Sequence, residues 1–152
     1  MRAVIFDIDH TIFAAEGAVH DGAHELLAIL QRLGLRIGGL SAGDHRALVR
    51  LDEAGLAHYF DKLLCAEQID QSDRLIEPKQ TTGVHHLLTL LQVPAEDTAL
   101  VSHAHADILL GKDAGLSRTI GITHDHDSAA PLQEAGADHV VPNLAAVLDV
   151  LE

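Results

Sequence analysis

The stretch AVIFDIDHTIF, residues 3–13, decides how the rest of the chain is read. Its opening residues are apolar and suit a strand buried on both faces. Two carboxylates, Asp7 and Asp9, follow at once, with His10 and Thr11 close behind. One Asp pair after a strand could be no more than a solvated turn. What the remaining segments deliver to the same place therefore carries the argument.

Working outward, short aliphatic runs alternate with longer segments of helical periodicity, with Gly and Asp at the joints. Strands are expected over 3–7, 35–41, 62–67, 98–102, 117–123 and 138–141. Helices are expected over 21–34, 44–55, 81–93 and 105–115, with a short one near 128–135 and a closing one after the last strand. Gly34 and Gly55 read as helix stops. Continuous apolar strands alternating with helices predict an α/β fold with a mainly parallel sheet covered on both faces. Nothing along the chain reads as a linker, a repeat or a low-complexity tract, so residues 1–152 are expected to form one domain.

Composition narrows the function classes. The chain has 152 residues, no Trp and only three Phe and one Tyr, so its core must be aliphatic. A formal net charge of -13 opposes loose association with nucleic-acid backbones, where Lys and Arg must neutralise phosphates. A small phosphorylated substrate held by a local cluster is compatible with that charge. A lone cysteine, Cys65, allows no intrachain disulfide and fits a reducing, cytoplasmic setting. No apolar run approaches the roughly 20 residues that span a bilayer, and no membrane partner is expected. The N-terminus reads as a strand rather than a signal peptide. Twelve histidines are the unusual feature.

In open parallel sheets, ligands bind beyond the carboxyl ends of the strands. The polar residues just past each strand should therefore be read together. They are Asp7, Asp9, His10 and Thr11 after the first strand, and Ser41, Ala42, Gly43 and Asp44 after the second. Lys79 lies in EPKQTT ahead of the third helix, SHAHAD (102–107) follows the fourth strand, and THDHDS (123–128) follows the fifth. This series resembles the haloacid dehalogenase (HAD) superfamily over almost the whole chain. Asp7, Asp9 and Thr11 match its Asp-x-Asp-x-Thr signature, and Ser41 its Ser or Thr ending strand two. Lys79 matches its lysine, and Asp107 the last acid of its fourth motif. Each motif alone is weak, but all four stand in order at the family's spacing.

The resemblance implies a Rossmann-like, three-layer α/β sandwich and a metal-dependent phosphatase. Asp7 would attack phosphorus to form an aspartyl-phosphate. Asp9 would protonate the leaving oxygen and then take a proton from the hydrolytic water. Thr11, Ser41, Ala42 and Lys79 would bind the phosphoryl group, with Ser41 and Lys79 also counted as catalytic. The metal, Mg2+ first, would sit among Asp7, Asp9 through its backbone carbonyl, and Asp107. Asp9 itself favours phosphoryl transfer, because the superfamily's dehalogenases lack this second acid.

One departure matters. Where relatives carry Gly-Asp, this chain has Ser102 and His103. Imidazole suits later transition metals better than magnesium, so His103 as a ligand points to Mn2+, Co2+ or Zn2+. Loss of that acid also leaves open a degenerate protein that binds phosphate, metal or a partner without turnover. A third alternative is a metal-binding protein using the histidine-rich edge, with His124 and His126 joining His103 and His105. Other residues have ordinary readings: Ser41 or Asp44 as a helix cap, Asp107 as a first-turn charge, Cys65 as a small core residue. Only 34 positions separate Asp7 from Ser41, which leaves no room for a cap domain there. The stretch from Ser41 to Lys79 holds a helix, a strand and a loop. An uncapped site implies either a large substrate or a homo-oligomer whose neighbouring subunit acts as the lid.

Overall fold

A computed structural model describes residues 1–14, 16–43, 45–65, 82–124 and 128–151. Among these residues six strands form one sheet: β1 (Ala3–Asp7), β2 (Arg36–Ser41), β3 (Lys62–Cys65), β4 (Thr98–Ser102), β5 (Arg118–Ile122) and β6 (His139–Val141), in the order β3-β2-β1-β4-β5-β6. Every pairing between them is parallel. The helices are α1 (Ala23–Arg32), α2 (Arg46–Glu53), α3 (Thr82–Leu91), α4 (His105–Asp113) and α5 (Ala130–Glu134). All six expected strands and all six expected helices are present, and no described end differs from the expected one by more than two residues. The closing helix, Ala145–Val150, is of the 3-10 type.

Burial follows the pleat. Val4 and Phe6 of β1 enter one core layer while Ala3 and Ile5 enter the other, as side chains alternating across a strand must. The first layer takes Leu26, Leu27 and Leu30 from α1, Leu51 from α2 and Val147 from the terminal 3-10 turn. The second takes Val84, Leu87, Leu88 and Leu91 from α3, with Ala114 and Leu116 just past α4. The result is the three-layer α/β arrangement that the alternation predicted.

Strand β2 carries two adjacent glycines, and close approach explains both. A Cβ at Gly38 would lie 2.9 Å from Leu91 of α3, and one at Gly39 would lie 2.5 Å from Leu63 and 3.0 Å from Ile8. Their absence lets the layers press onto β2 from both sides, which fixes where its carboxyl end and Ser41 emerge. The connection runs outward from β1 in both directions, to β2 and β3 on one side and β4 to β6 on the other. The crevice at this switch point lies outside the ends of β1 and its neighbours. No separate domain interrupts the sandwich among the described residues.

Candidate active site

Asp7 is the last residue of β1 and is almost fully buried, at 8% exposure. Three side chains converge on its Oδ2. The Thr11 hydroxyl donates to it at 3.2 Å, His103 Nδ1 lies 3.1 Å away, and the Ser102 hydroxyl approaches to 3.3 Å. A carboxylate only accepts hydrogen bonds, so the His103 contact requires a proton on Nδ1. Thr11 is fully buried and ties the two strand ends together, because its Oγ1 also accepts the backbone N–H of His103 at 3.1 Å.

Ser102 forms the next link. It closes β4, is fully buried, donates to Asp107 Oδ2 at 2.8 Å and accepts the Ala104 N–H at 3.1 Å. Asp107, in the first turn of α4, has its carboxyl pushed above the usual range. Burial is the main cause and the neighbouring Asp7 charge the next, partly offset by the Ser102 hydrogen bond and His103. A hydroxyl has a single hydrogen, and the shorter contact directs it to Asp107.

On the other side of Asp7, the partly buried Asp9 accepts the Ser41 hydroxyl at 2.8 Å. Ser41 in turn accepts the N–H of Gly43 at 3.1 Å, while Ala42 beside it is exposed. A cavity of about 330 Å3 opens here, lined by Asp9, Ser41 and Gly43 together with Arg46, Ala47 and Arg50 of α2.

Asp7, Asp9, Thr11, Ser41, Ala42, His103 and Asp107 thus share one edge of the sheet. Lys79 lies outside the described residues, as do Asp44 and His126. His103, expected as a metal ligand, is engaged with Asp7 and Thr11. Ser102 and the two arginines are the residues that sequence reading passed over. Ser102 had been read only as the residue standing where relatives carry glycine. The arginines were legible only as a pair four positions apart on a helix, a pattern that usually means a solvated face.

Histidines gather on this edge as well. His10 has a left-handed backbone (φ 62°) and its ring lies 5.3 Å from that of His103. His124, also left-handed at φ 54°, stacks on His20 with centroids 3.5 Å apart and planes within 8°. Among the described residues, however, no three His, Cys, Asp or Glu side chains are grouped so as to hold a metal ion. A transition-metal centre with three protein ligands is therefore not assembled in these residues. A hard cation makes smaller demands, since magnesium keeps several waters and takes one or two carboxylates. Asp7 and Asp107, which flank the Ser102 hydroxyl, fit that requirement.

Comparison with known proteins identifies the fold and the family. The sequence model of the haloacid dehalogenase-like hydrolase family matches residues 1–115. No curated protein matches the chain by sequence. Among solved structures, a HAD phosphatase from Thermococcus onnurineus superposes with a TM-score of 0.84 at 16% identity, covering 99% of this chain and 98% of its own. An uncharacterized protein from Listeria monocytogenes serotype 4b gives 0.74 at 22% identity, covering 99% and 97%. A haloacid dehalogenase-like hydrolase from Streptococcus pneumoniae gives 0.74 at 16% identity and covers 88% of this chain but only 60% of its own. At such identities the likeness establishes the fold, and the family match extends well past half of the sequence. No helix among the described residues is long and apolar enough to cross a membrane. The chain belongs to the haloacid dehalogenase-like hydrolase family.

Proposed function

We propose that the chain is a phosphatase that hydrolyses a small phosphomonoester, with residues 1–152 acting as one domain. The observation that carries this reading is the pair Asp7 and Asp9 at the end of the central strand, one held by Thr11 and His103 and the other by Ser41. The carboxylate of Asp7 attacks phosphorus. The P–O bond to the leaving group breaks as the Asp7–phosphorus bond forms. Asp9 delivers a proton to the leaving oxygen. Its Oδ2 accepts from Ser41, so the proton is carried on Oδ1. Asp9 then removes a proton from the water that attacks the phosphoryl group, and the Asp7–phosphorus bond breaks to release inorganic phosphate. Thr11 has no exposed surface and serves to position Asp7 rather than to touch substrate. Ser41 and the backbone at Ala42, with Lys79, are the proposed phosphoryl contacts. Asp7, Asp107 and the Asp9 carbonyl would hold a divalent cation, Mg2+ before Mn2+, Co2+ or Zn2+, and when bound it offsets negative charge on the phosphoryl oxygens.

The test is phosphate release from an aryl phosphate across a panel of divalent metals. Asp7→Asn should lose turnover while keeping a cooperative melting transition. A variant retaining more than roughly a few per cent of the wild-type rate would refute the nucleophile assignment, because removal of a covalent nucleophile costs orders of magnitude.

A further inference from the structure

We propose that Arg46 and Arg50 form a subsite for a second anionic group, so that the substrate is a phosphomonoester bearing a further carboxylate or phosphate. This rests on the phosphatase reading above. Both arginines lie on α2, one helical turn apart, and line the same cavity of about 330 Å3 as Asp9 and Ser41. A substrate whose phosphoryl group is held at Ser41 thus extends toward two guanidinium groups. The cavity is at the small end of the range for ligand sites, which suits a compact metabolite-sized molecule.

Three features distinguish this pair from ordinary surface arginines. First, Arg46 opens α2, so an anion held beside it in the cavity would meet the helix N-terminus as well as the guanidinium. Second, Arg50 is built into its position. Its guanidinium carbon lies 4.9 Å from the ring centroid of buried Phe13, in cation–π geometry. The loop beyond Phe13 passes it at Gly17, with φ +96°, where an added Cβ would come within 3.0 Å of Arg50 Nη2. Glycine at 17 therefore both permits the turn and leaves the guanidinium room. Third, the chain carries a formal charge of -13, and an anionic ligand is repelled unless the cavity wall offsets that field locally. Guanidinium forks do so best for planar or tetrahedral oxyanions, which they bind in bidentate fashion.

The test compares phenyl phosphate with the carboxyphenyl phosphates and with phenylene bisphosphates. Equilibrium binding is measured by calorimetry on the Asp7→Asn protein at low ionic strength with magnesium present, and turnover on the wild type. The doubly anionic ligands should bind at least about tenfold more tightly than phenyl phosphate, a gain typical of charge-assisted bidentate contacts. The carboxylate and phosphate arms identify which anion is preferred. In R46Q/R50Q that preference should fall below about threefold, while the distant R2Q control keeps it. Melting curves accompany each variant. If Arg50→Gln unfolds the chain, R46Q and the charge-retaining R50K carry the comparison, with R46Q weakening the preference and R50K retaining part of it. A ratio near one in the parent protein, a ratio unchanged by the double substitution, or no binding by any member of the series overturns the subsite. Preserved preference without any phosphate release would instead refute the phosphatase reading and leave the subsite standing.

Discussion

Replacing Thr11 by Val tests whether a buried hydroxyl organises the site. Thr11 is fully buried, and its hydroxyl donates to Asp7 and accepts the N–H of His103. Val nearly preserves its volume but removes both bonds. Loss of a hydrogen bond to a carboxylate costs about 1.5–3 kcal/mol, and an orphaned buried N–H costs about 1–3 kcal/mol. Against this, the new methyl group contributes about 0.8 kcal/mol of apolar burial, and His103 still reaches Asp7. The balance is a destabilisation of about 3 kcal/mol. For a chain of this length that corresponds to a fall in Tm of roughly 6–12 °C. Urea unfolding should show the midpoint shifted by roughly 1–2 M at unchanged slope. Thr11→Ser keeps both bonds and loses only a methyl, so it should cost about 1 kcal/mol. A Val variant within about 0.5 kcal/mol of the parent would refute the reasoning, as would a Ser variant less stable than the Val one.

Asp107→Asn should stabilise the protein near neutral pH in the presence of a chelator, because burial and Asp7 raise its carboxyl above the usual range. A raised folded-state pKa gives stability that is full below the unfolded value and lost as pH rises through the folded one. The gain of the Asn variant should therefore vanish as pH falls to the ordinary carboxylate range, and a gain that grows in acid would contradict this. His103→Asp should supply a further hard ligand and lower the magnesium concentration for half-maximal turnover by about tenfold, read from metal titrations. An unchanged requirement would place His103 away from the cation. Sedimentation velocity should show a dimer or tetramer, since nothing in the sequence between Asp7 and Ser41 supplies a cap; a monomer at all concentrations would favour a macromolecular substrate.

Much of the sheet was legible because strand and helix periodicity are local properties. The apolar run before Asp7 and the Leu spacing in 21–34 and 81–93 determine which faces are buried wherever the segments end up. The four motifs could be aligned for the same reason, each being a few residues tied to a strand end. The closing helix was legible too, but not its 3-10 form, because its apolar spacing supports either turn geometry. Side-chain partnerships were not legible at all. Thr11 meets His103 across 92 positions and Ser102 meets Asp7 across 95. Those contacts exist only because β1 and β4 pair in parallel and end together. The same holds for Arg46 and Arg50, which belong to no motif in the sequence. Only the approach of α2 to the end of β2 and to Phe13 turns them toward Asp9 and Ser41. The sequence by itself determined the elements and the kinds of groups at their ends; the tertiary structure decided which groups meet, because strand pairing order and helix packing are set by the whole core rather than by any local pattern.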